Sequence, residues 1–311
     1  MRASMSDINS FLTCRLQWHW GSLMNLEPRH QSDTALAIGT GIHRALERWY
    51  HPDFKYDHKA VLEQTLSSLF LGWYEEQSHV DGFVPWETDA IDLADGMLAG
   101  YQRQYGPLPT DDPDIAHILA TEQEFDVAVP GTTHALIGTI DGFLLSRSGA
   151  LWLIDHKTYG YAPSPDSLRR NQQFLGYMWA ANQLLVSGKL TERFGPLPNR
   201  VEGVLYNGLR KKLPTNRTSA PFFKREWIRH DQNELAFFET HLRTVLAEMS
   251  RLDRADYYSP GMHCDRCAFQ SPCLALQYGE DFQWALQHNY VYRKPRGTVY
   301  VRDDEEDANA S

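Results

Sequence analysis

The sequence has 311 residues, 42% hydrophobic and 23% charged, the proportions of a globular protein long enough to bury a sizeable core. Its formal net charge of -10 excludes a global basic field for nucleic acid, so DNA would have to be held by local patches or metal ions. No stretch reaches the roughly 18 uninterrupted apolar residues of a membrane span, and the N-terminus lacks the apolar core of a signal peptide, so we expect a cytoplasmic protein with no membrane partner.

The first third of the chain is predicted to be helical. A short helix over residues 6–19 carries Cys14, with Ser6 as a candidate cap. Apolar residues at spacings of three and four predict three further helices, the first of them opened by glycines, at residues 39–51, 58–77 and 88–105.

Strand-like patterns begin near residue 120. Turn sequences separate three predicted strands of an antiparallel meander, at residues 121–129, 135–146 and 151–158. Further elements are a helix, two strands and a long helix, at residues 167–186, 201–207, 222–230 and 232–252. This order favours an α/β fold in which a central mixed sheet carries helices on its faces.

The third strand of the meander, LWLIDHKTYG, places two charges in an apolar run. Alternation puts Asp155 and Lys157 on one face and turns His156 away. Asp141, in the preceding strand, is expected to be their neighbour across the sheet. Two close carboxylates repel unless a cation such as Mg²⁺ lies between them, and a nearby lysine suits phosphodiester hydrolysis. The alternative, a buried Asp–Lys ion pair that only ties two strands, is the commoner meaning of an isolated D-x-K.

The helix after this strand offers groups that bind nucleic acid. Gln173 and Tyr177 are four residues apart and share a helical face. Together with Arg169 and Arg170 they could hold a nucleic-acid backbone and stack on a base. The alternative is a solvated helix with a tyrosine facing the core.

The four cysteines are distributed like the ligands of one site. Cys264, Cys267 and Cys273 lie within ten residues of one another, and Cys14 is near the other end of the chain. A C-x2-C pair suits Zn²⁺ or an iron–sulfur cluster, and the spacing does not choose between them. Four reduced structural thiols are a third possibility.

These pieces together resemble the PD-(D/E)XK nuclease superfamily, and within it the RecB-like branch that contains Cas4 and the AddB nuclease domain. Four motifs occur in the family's order. They are G-x-x-x-H-x-x-L-E at Gly39, His43, Leu46 and Glu47; G-x-x-D at Gly138 and Asp141; D-x-K at Asp155 and Lys157; and Q-x-x-x-Y at Gln173 and Tyr177.

The resemblance implies a restriction-endonuclease-like core and a role for each motif residue. His43, Asp141, Asp155 and the backbone carbonyl of His156 would bind Mg²⁺ or Mn²⁺. Glu47 would either contact these ligands without touching the metal or bind the metal through a water molecule. The catalytic set would be Asp141, Asp155, Lys157, Gln173 and Tyr177. By spacing alone His43 could equally be a satisfied core histidine.

The resemblance also implies a [4Fe–4S] cluster on the four cysteines, with zinc less favoured. One departure is that the family often has proline after the first cysteine, where this chain has Arg15. We expect one nuclease domain over residues 1–301, with a helical part (1–110), a nuclease core (111–230) and a C-terminal helix and cysteine segment (231–301). An acidic disordered tail over 302–311 is expected to follow.

The expected function is a Mg²⁺- or Mn²⁺-dependent exonuclease acting on single-stranded or end-processed DNA. Short basic clusters would contact phosphates, although ordinary solvated charge explains them equally well: Arg210, Lys211 and Lys212, then Lys224 and Arg225. Three different functions stay open: a Cas4-like component of spacer acquisition with a Cas1-type integrase partner, a phage recombination nuclease with a recombination partner, and a non-catalytic DNA-binding module. The sequence does not decide polarity, strand preference or oligomeric state.

Overall fold

The computed structural model describes residues 1–29, 34–53, 65–79, 83, 85–251 and 258–293. The predicted acidic tail lies outside these residues. The chain separates into two compact units: the first is Met1–Ser32, Ala128–Gly138 and Thr240–Ser311, and the second is Asp33–Val127 and Thr139–Glu239. That they act as one nuclease domain stays a prediction.

The described strands are short at both ends of the chain and longer between. In chain order they are β1 (Arg2–Ser4), β2 (Leu26–Pro28), β3 (Ile115–Ala128), β4 (Ala135–Ser146), β5 (Leu151–Tyr159), β6 (Val201–Arg210), β7 (Phe223–Arg229) and β8 (Tyr290–Tyr292). The helices are α1 (Met5–Thr13), α2 (Arg15–Trp18), α3 (Thr34–Trp49), α4 (Leu66–Ser78), α5 (Thr88–Tyr105), α6 (Pro165–Arg169), α7 (Gln172–Val186), α8 (Lys189–Phe194), α9 (Gln232–Arg251), α10 (Gln270–Tyr278) and α11 (Phe282–Asn289).

The second unit is built on a mixed sheet in the order β3, β4, β5, β6, β7. The β4–β5 and β6–β7 pairs are antiparallel, whereas β5 and β6 are parallel. A parallel pair needs a crossover, which here contains α6, α7 and α8. The predicted central mixed sheet with flanking helices is therefore confirmed, as a restriction-endonuclease-like α/β fold.

Helices cover both faces of this sheet because successive strand side chains point in opposite directions. On one face Trp152 and Ile154 of β5 join a buried cluster with residues of α3, α4 and α5, such as Leu46 and Phe70. On the other face α7 contacts β6, where the rings of Phe174 and Tyr206 are 6.5 Å apart. Because side chains alternate along β5, Asp155 lies on the face opposite to the one where Ile154 packs against α3, α4 and α5.

The first unit contains the chain's N-terminal helices and its C-terminal segment. Here β1 pairs in parallel with the start of β4, and β2 pairs with β8 in an antiparallel ribbon. Its buried residues include Cys14, Trp20 and Phe269. No helix in the described part of the chain is long and apolar enough to cross a membrane.

The predicted helix over 6–19 is wrong in its cap and in its continuity. Ser4, not Ser6, is the cap, because its hydroxyl accepts from the Asp7 amide at 3.2 Å while the Asp7 carboxylate accepts from the Ser4 amide at 2.9 Å. The helix then breaks at Cys14, whose backbone is extended (φ -157°, ψ 116°), and resumes as α2 followed by a π-helical turn at His19–Leu23.

Several predicted boundaries also moved. The helix predicted from residue 39 begins at Thr34, and the first strand of the meander begins at Ile115. Part of the helix predicted at 58–77 lies outside the described residues, and the described part begins at Leu66 after the capping residue Thr65. The helix predicted at 167–186 is divided into α6 and α7, because the side chain of Asn171 caps a new helix by accepting from the Gln173 amide at 2.9 Å.

Candidate active site

The D-x-K face of β5 and the neighbouring β4 place the two predicted carboxylates side by side. The antiparallel register pairs Gly142 with Ile154, so that Asp141 and Asp155 come next on their strands. Asp155 is only 1% exposed, and one of its oxygens, Oδ1, accepts from Lys157 Nζ at 2.8 Å. Its other oxygen, Oδ2, is buried without a hydrogen-bond partner among the described residues. A buried carboxylate oxygen left unpaired is costly, and a cation would satisfy it.

The ionisation of this pair follows from burial and charge. Burial raises the pKa of Asp155 to about 6, with a further rise from Asp141, while Lys157 and His43 oppose the rise. Burial alone would lower the pKa of Lys157, but the attraction of Asp155 and Asp141 outweighs it, and that pKa lies above its ordinary value. The lysine therefore stays an ammonium group beside the acidic cluster.

A second group of ligands lies around Asp141. The ligand atoms of His43, Glu122 and Asp141 all lie within 4.8 Å of one another. His43 Nδ1 is 3.5 Å from Asp141 Oδ2, and the same oxygen accepts from the His156 amide at 2.7 Å. The structure thus brings two predicted ligands, His43 and Asp141, together with an unpredicted third. Asp155 is close enough to Asp141 for their charges to interact, but it is not one of the three residues whose ligand atoms lie within 4.8 Å of one another.

Sequence reasoning missed Glu122. In β3 the buried residues Ile118 and Ala120 are even-numbered and the buried residues Phe125 and Val127 are odd-numbered, so the alternation changes phase between Ala120 and Phe125. Glu122 lies at this change with a left-handed backbone, φ 45°, which a non-glycine residue rarely adopts. Simple alternation would group it with the exposed Glu124. The only available signal was an acidic residue in the strand next to the one carrying Asp141.

Glu122 is held in an environment that disfavours its charge. Burial raises its pKa to about 7, and the carboxylates of Asp141 and Glu47 add to the rise, while Arg44 and Lys157 oppose it. Glu47 itself accepts from Arg44 at 2.6 Å. A divalent cation would reverse this penalty, because it replaces repulsion between carboxylates by attraction to a shared charge. The oxygen and imidazole donors present suit Mg²⁺ or Mn²⁺.

His156 lies on the face of β5 opposite to Asp155, where a hydrogen bond connects β5 to β6. Its ring is 3% exposed and its Nδ1 accepts from Asn207 Nδ2 at 2.7 Å. Burial lowers its pKa to about 3, so the ring is neutral. Asn207 Oδ1 in turn accepts from Arg225 Nε at 3.0 Å. The predicted binding of a metal by the His156 carbonyl stays a prediction.

The structure overturns one expectation about the basic clusters. The Arg225 side chain is 6% exposed and donates to Asp112 at 2.7 Å and to Asp114 at 2.8 Å. It also donates to the hydroxyl of Tyr101 at 2.7 Å. A guanidinium whose hydrogens are used inside the fold cannot contact phosphate, so Arg225 is a structural residue. Its β7 neighbour Lys224 is similarly engaged, donating to the Pro163 carbonyl at 3.0 Å.

The Gln173–Tyr177 pair faces the acidic cluster. Gln173 Nε2 donates to the Tyr177 hydroxyl at 2.7 Å. Burial raises the pKa of Tyr177 to about 12, with smaller contributions from the charges of Asp155 and Asp141, so the phenol stays protonated beside them. One of the two arginines that precede the pair, Arg169, is bound to Glu234 at 3.2 Å.

The remaining basic candidates are at the surface. Arg170 and Lys212 are exposed, and Arg210 and Lys211 are half-buried. Arg210 donates to the Ser219 carbonyl at 2.7 Å. The structure therefore leaves Arg170, Lys211 and Lys212 accessible to a ligand.

The first unit brings all four cysteines to one cavity of about 190 Å³, between Cys14 and the segment 258–277. Each sulfur lies near a nitrogen donor: the Ser259 amide is 3.5 Å from Cys14, the Gly261 amide 3.4 Å from Cys264, the Phe269 amide 3.4 Å from Cys267, and Gln277 Nε2 3.3 Å from Cys273. Such donors stabilise thiolates that bind a metal or cluster. Cys14, at the break between α1 and α2, is one of the residues that line this cavity.

The thiols lie close enough to influence one another. Burial, the largest cause, and then the neighbouring cysteines raise the pKa of Cys267 and of Cys273.

In comparisons with known proteins, one family model matches the chain. The family model described as the PD-(D/E)XK nuclease superfamily matches residues 2–274, which is most of the chain. No curated protein matches the chain.

Proposed function

Because the chain belongs to the PD-(D/E)XK nuclease superfamily, whose members are nucleases that use divalent metals, we propose that it is a Mg²⁺- or Mn²⁺-dependent deoxyribonuclease. The observation that carries the proposal is the buried, unpartnered oxygen of Asp155 beside the His43–Glu122–Asp141 group. The Asp155–Lys157 ion pair by itself leaves this buried oxygen unsatisfied, which is costly. A cation bound beside it would remove that cost.

Each residue has a task in this proposal. His43, Asp141 and Asp155 would hold the cation together with the His156 carbonyl, and Glu122 would add a further oxygen. A bound divalent cation supplies a lowered pKa for its water and stabilises charge on a phosphate oxygen.

Lys157 contributes a charge that does not depend on the metal. Its ammonium group is fixed by Asp155 at 2.8 Å, and it neutralises negative charge as that charge develops on the phosphate. The hydrogen bond from Gln173 holds Tyr177 against the same cluster, where its hydroxyl can donate to a substrate oxygen. Arg170, Lys211 and Lys212 are the accessible candidates for binding the DNA backbone, whereas Arg169 and Arg210 would first have to leave Glu234 and the Ser219 carbonyl.

For the cysteine cavity we propose a [4Fe–4S] cluster. The four cysteines lining one cavity and the nitrogen donors near their sulfurs support it. The cluster would connect Cys14 to the C-terminal cysteines and so stabilise a very long loop.

Exonuclease action on single-stranded or end-processed DNA is the mode we propose, with repair or recombination as the setting. A Cas4-like role with a Cas1-type integrase, or a role in phage recombination, would use the same site. A non-catalytic DNA-binding module is less favoured, since it would not need a charged lysine beside a cation site.

The test is cleavage of oligonucleotides labelled at the 5′ or the 3′ end, single- or double-stranded, with Mg²⁺, Mn²⁺ or EDTA. We expect metal-dependent cleavage that begins at an end and is lost in Lys157→Ala. Lys189→Ala, an exposed lysine of α8, is the matched control and should cleave like the wild type. If no DNA form is cut with either metal, or if Lys157→Ala cuts at the wild-type rate, the proposal is wrong.

A further inference from the structure

Tyr161 is a large side chain left almost entirely in water. It is 96% exposed and lies two residues beyond the end of β5. Single exposed apolar residues are common, so exposure alone carries little weight. What distinguishes Tyr161 is how its loop is held and what surrounds it.

The loop that carries Tyr161 is tied to the sheet on both sides. Before it, the Tyr159 carbonyl accepts from the Lys211 amide at 2.8 Å. After it, the Pro163 carbonyl accepts from Lys224 Nζ at 3.0 Å, and Ser164 caps α6 by accepting from the Ser167 amide at 3.1 Å. The backbone is therefore fixed while the phenol ring is free, which is the arrangement of a preorganised contact residue.

This loop lies at the edge of the sheet where the proposed chemistry occurs. Tyr161 follows Lys157 by four residues, a distance of at most about 14 Å along an extended chain. Because β5 and β6 are parallel, their ends meet at this edge, with Lys157 opposite Gly208 and Tyr159 opposite Arg210. A DNA strand that has a phosphate at Lys157 and follows this edge would reach Tyr161 within a few nucleotides.

The same edge is basic in an otherwise acidic protein. Residues 203–225 contain six lysines and arginines and no carboxylate, although the whole chain carries a net charge of -10. Lys224 and Arg225 are engaged within the fold, whereas Lys211, Lys212 and Arg217 extend the basic edge at the surface. Residues 156–165, which include Tyr161, also carry no carboxylate. A polyanion is the ligand that this charge distribution fits.

We propose that Tyr161 stacks on an unpaired base of the substrate, beside phosphates held by Lys211 and Lys212, and so makes single-stranded DNA the preferred substrate. An aromatic ring can stack on any base, but only where the base is not paired within a duplex. This inference rests on the proposed nuclease function and names the substrate class of the same site.

The test measures binding without cleavage, so that it does not depend on activity. Lys157→Ala protein is mixed with fluorescent oligonucleotides in EDTA, and the Kd for single- and double-stranded DNA is measured by anisotropy. Adding Tyr161→Ala should weaken single-strand binding about 5- to 150-fold, the range for loss of one base–aromatic stack, and leave duplex binding unchanged. Tyr161→Trp should retain single-strand binding.

Two comparisons sharpen the result. Tyr292→Ala removes another exposed tyrosine, 76% exposed on β8, and should change neither affinity. Lys212→Ala should weaken single-strand and duplex binding alike and lower the salt dependence by about one unit. A base-free nucleotide moved along the strand should weaken binding at one position, and this effect should vanish in Tyr161→Ala.

The inference is wrong if Tyr161→Ala binds single strands as tightly as the parent, or if it weakens duplex binding equally. Either result would leave Tyr161 as a contact for another protein or as ordinary surface. Because binding is measured without metal, the stacking proposal and the nuclease proposal can fail separately. If only the stacking proposal is wrong, Tyr161→Ala leaves the Kd unchanged while the wild type cleaves DNA. If only the nuclease proposal is wrong, the wild type does not cleave DNA while the Kd still depends on Tyr161.

Discussion

Replacing Glu122 by glutamine should stabilise the metal-free protein near pH 8 while weakening its hold on a divalent cation. Burial and the neighbouring carboxylates raise the pKa of Glu122 from its ordinary 4.5 to about 7. The folded protein therefore holds this proton more tightly than the unfolded chain does, and the ionised carboxylate opposes folding. This penalty is absent below pH 4.5 and complete above about pH 7. Glutamine removes the charge and hence the penalty.

The size of the effect follows from the pKa difference. A rise from 4.5 to about 7 corresponds to about 3 kcal/mol at 1.36 kcal/mol per unit. Solvent screening of this partly exposed group reduces the expected gain to about 1–2 kcal/mol, or about 2–4 °C in Tm for a chain of this size. Near pH 5.5 most of the wild-type side chain is protonated in the folded protein, so that less than half of the gain should remain.

The assay is thermal unfolding of wild type and Glu122→Gln at both pH values, in EDTA and with Mn²⁺. Glu124→Gln, an exposed glutamate of the same strand, is the control and should not change Tm. In EDTA we expect the glutamine variant to melt above wild type near pH 8, whereas added Mn²⁺ should raise the wild-type Tm more. A variant that melts below wild type near pH 8, or that gains as much from Mn²⁺, would refute the metal-site assignment of Glu122.

Three further predictions concern the second unit's interior, the pH dependence and the cysteine cavity. Arg225→Met should lower the free energy of unfolding, measured in urea, by about 3–5 kcal/mol because it leaves buried Asp112 unpaired. Unchanged stability with weaker DNA binding would show instead that Arg225 contacts phosphate. Mn²⁺ affinity, measured by calorimetry, should fall as pH drops below about 7, since Glu122 and Asp155 have raised pKa values of about 7 and about 6 and must lose protons to bind it; affinity that is flat from pH 8 to 5 would contradict this. Anaerobically purified wild-type protein should contain iron and sulfide, and Cys267→Ser should lose both and melt at a lower temperature. Stoichiometric zinc in a colourless protein would contradict the assignment of an iron–sulfur cluster.

The parts of the site that depend on strand alternation were predictable from the sequence. Period-two geometry placed Asp155 and Lys157 together and turned His156 away, and the structure shows His156 bonded to Asn207 on the far side. The mixed sheet followed from the order of elements. Helical spacing likewise placed Gln173 and Tyr177 within hydrogen-bond distance.

What the sequence did not predict involves local departures from regular geometry. Glu122 was hidden because β3 changes its alternation at a left-handed residue. The break at Cys14 was hidden because residues 9–18 contain neither proline nor glycine to signal the end of a helix. Arg225 reads as surface charge beside Lys224, and only tertiary structure brings Asp112 and Asp114 to it.

The central claim is that the second unit contains a metal-dependent site for DNA hydrolysis. Its residues are His43, Glu122, Asp141, Asp155 and Lys157. The most direct measurement is single-turnover cleavage of an end-labelled single strand across a Mn²⁺ titration, with wild type and Asp141→Asn compared. The structure predicts saturable metal dependence for wild type and a much higher half-saturating Mn²⁺ concentration for the variant, because Asp141 connects His43 to the D-x-K strand. Cleavage that persists in EDTA, or that depends on Mn²⁺ identically in both proteins, would contradict it.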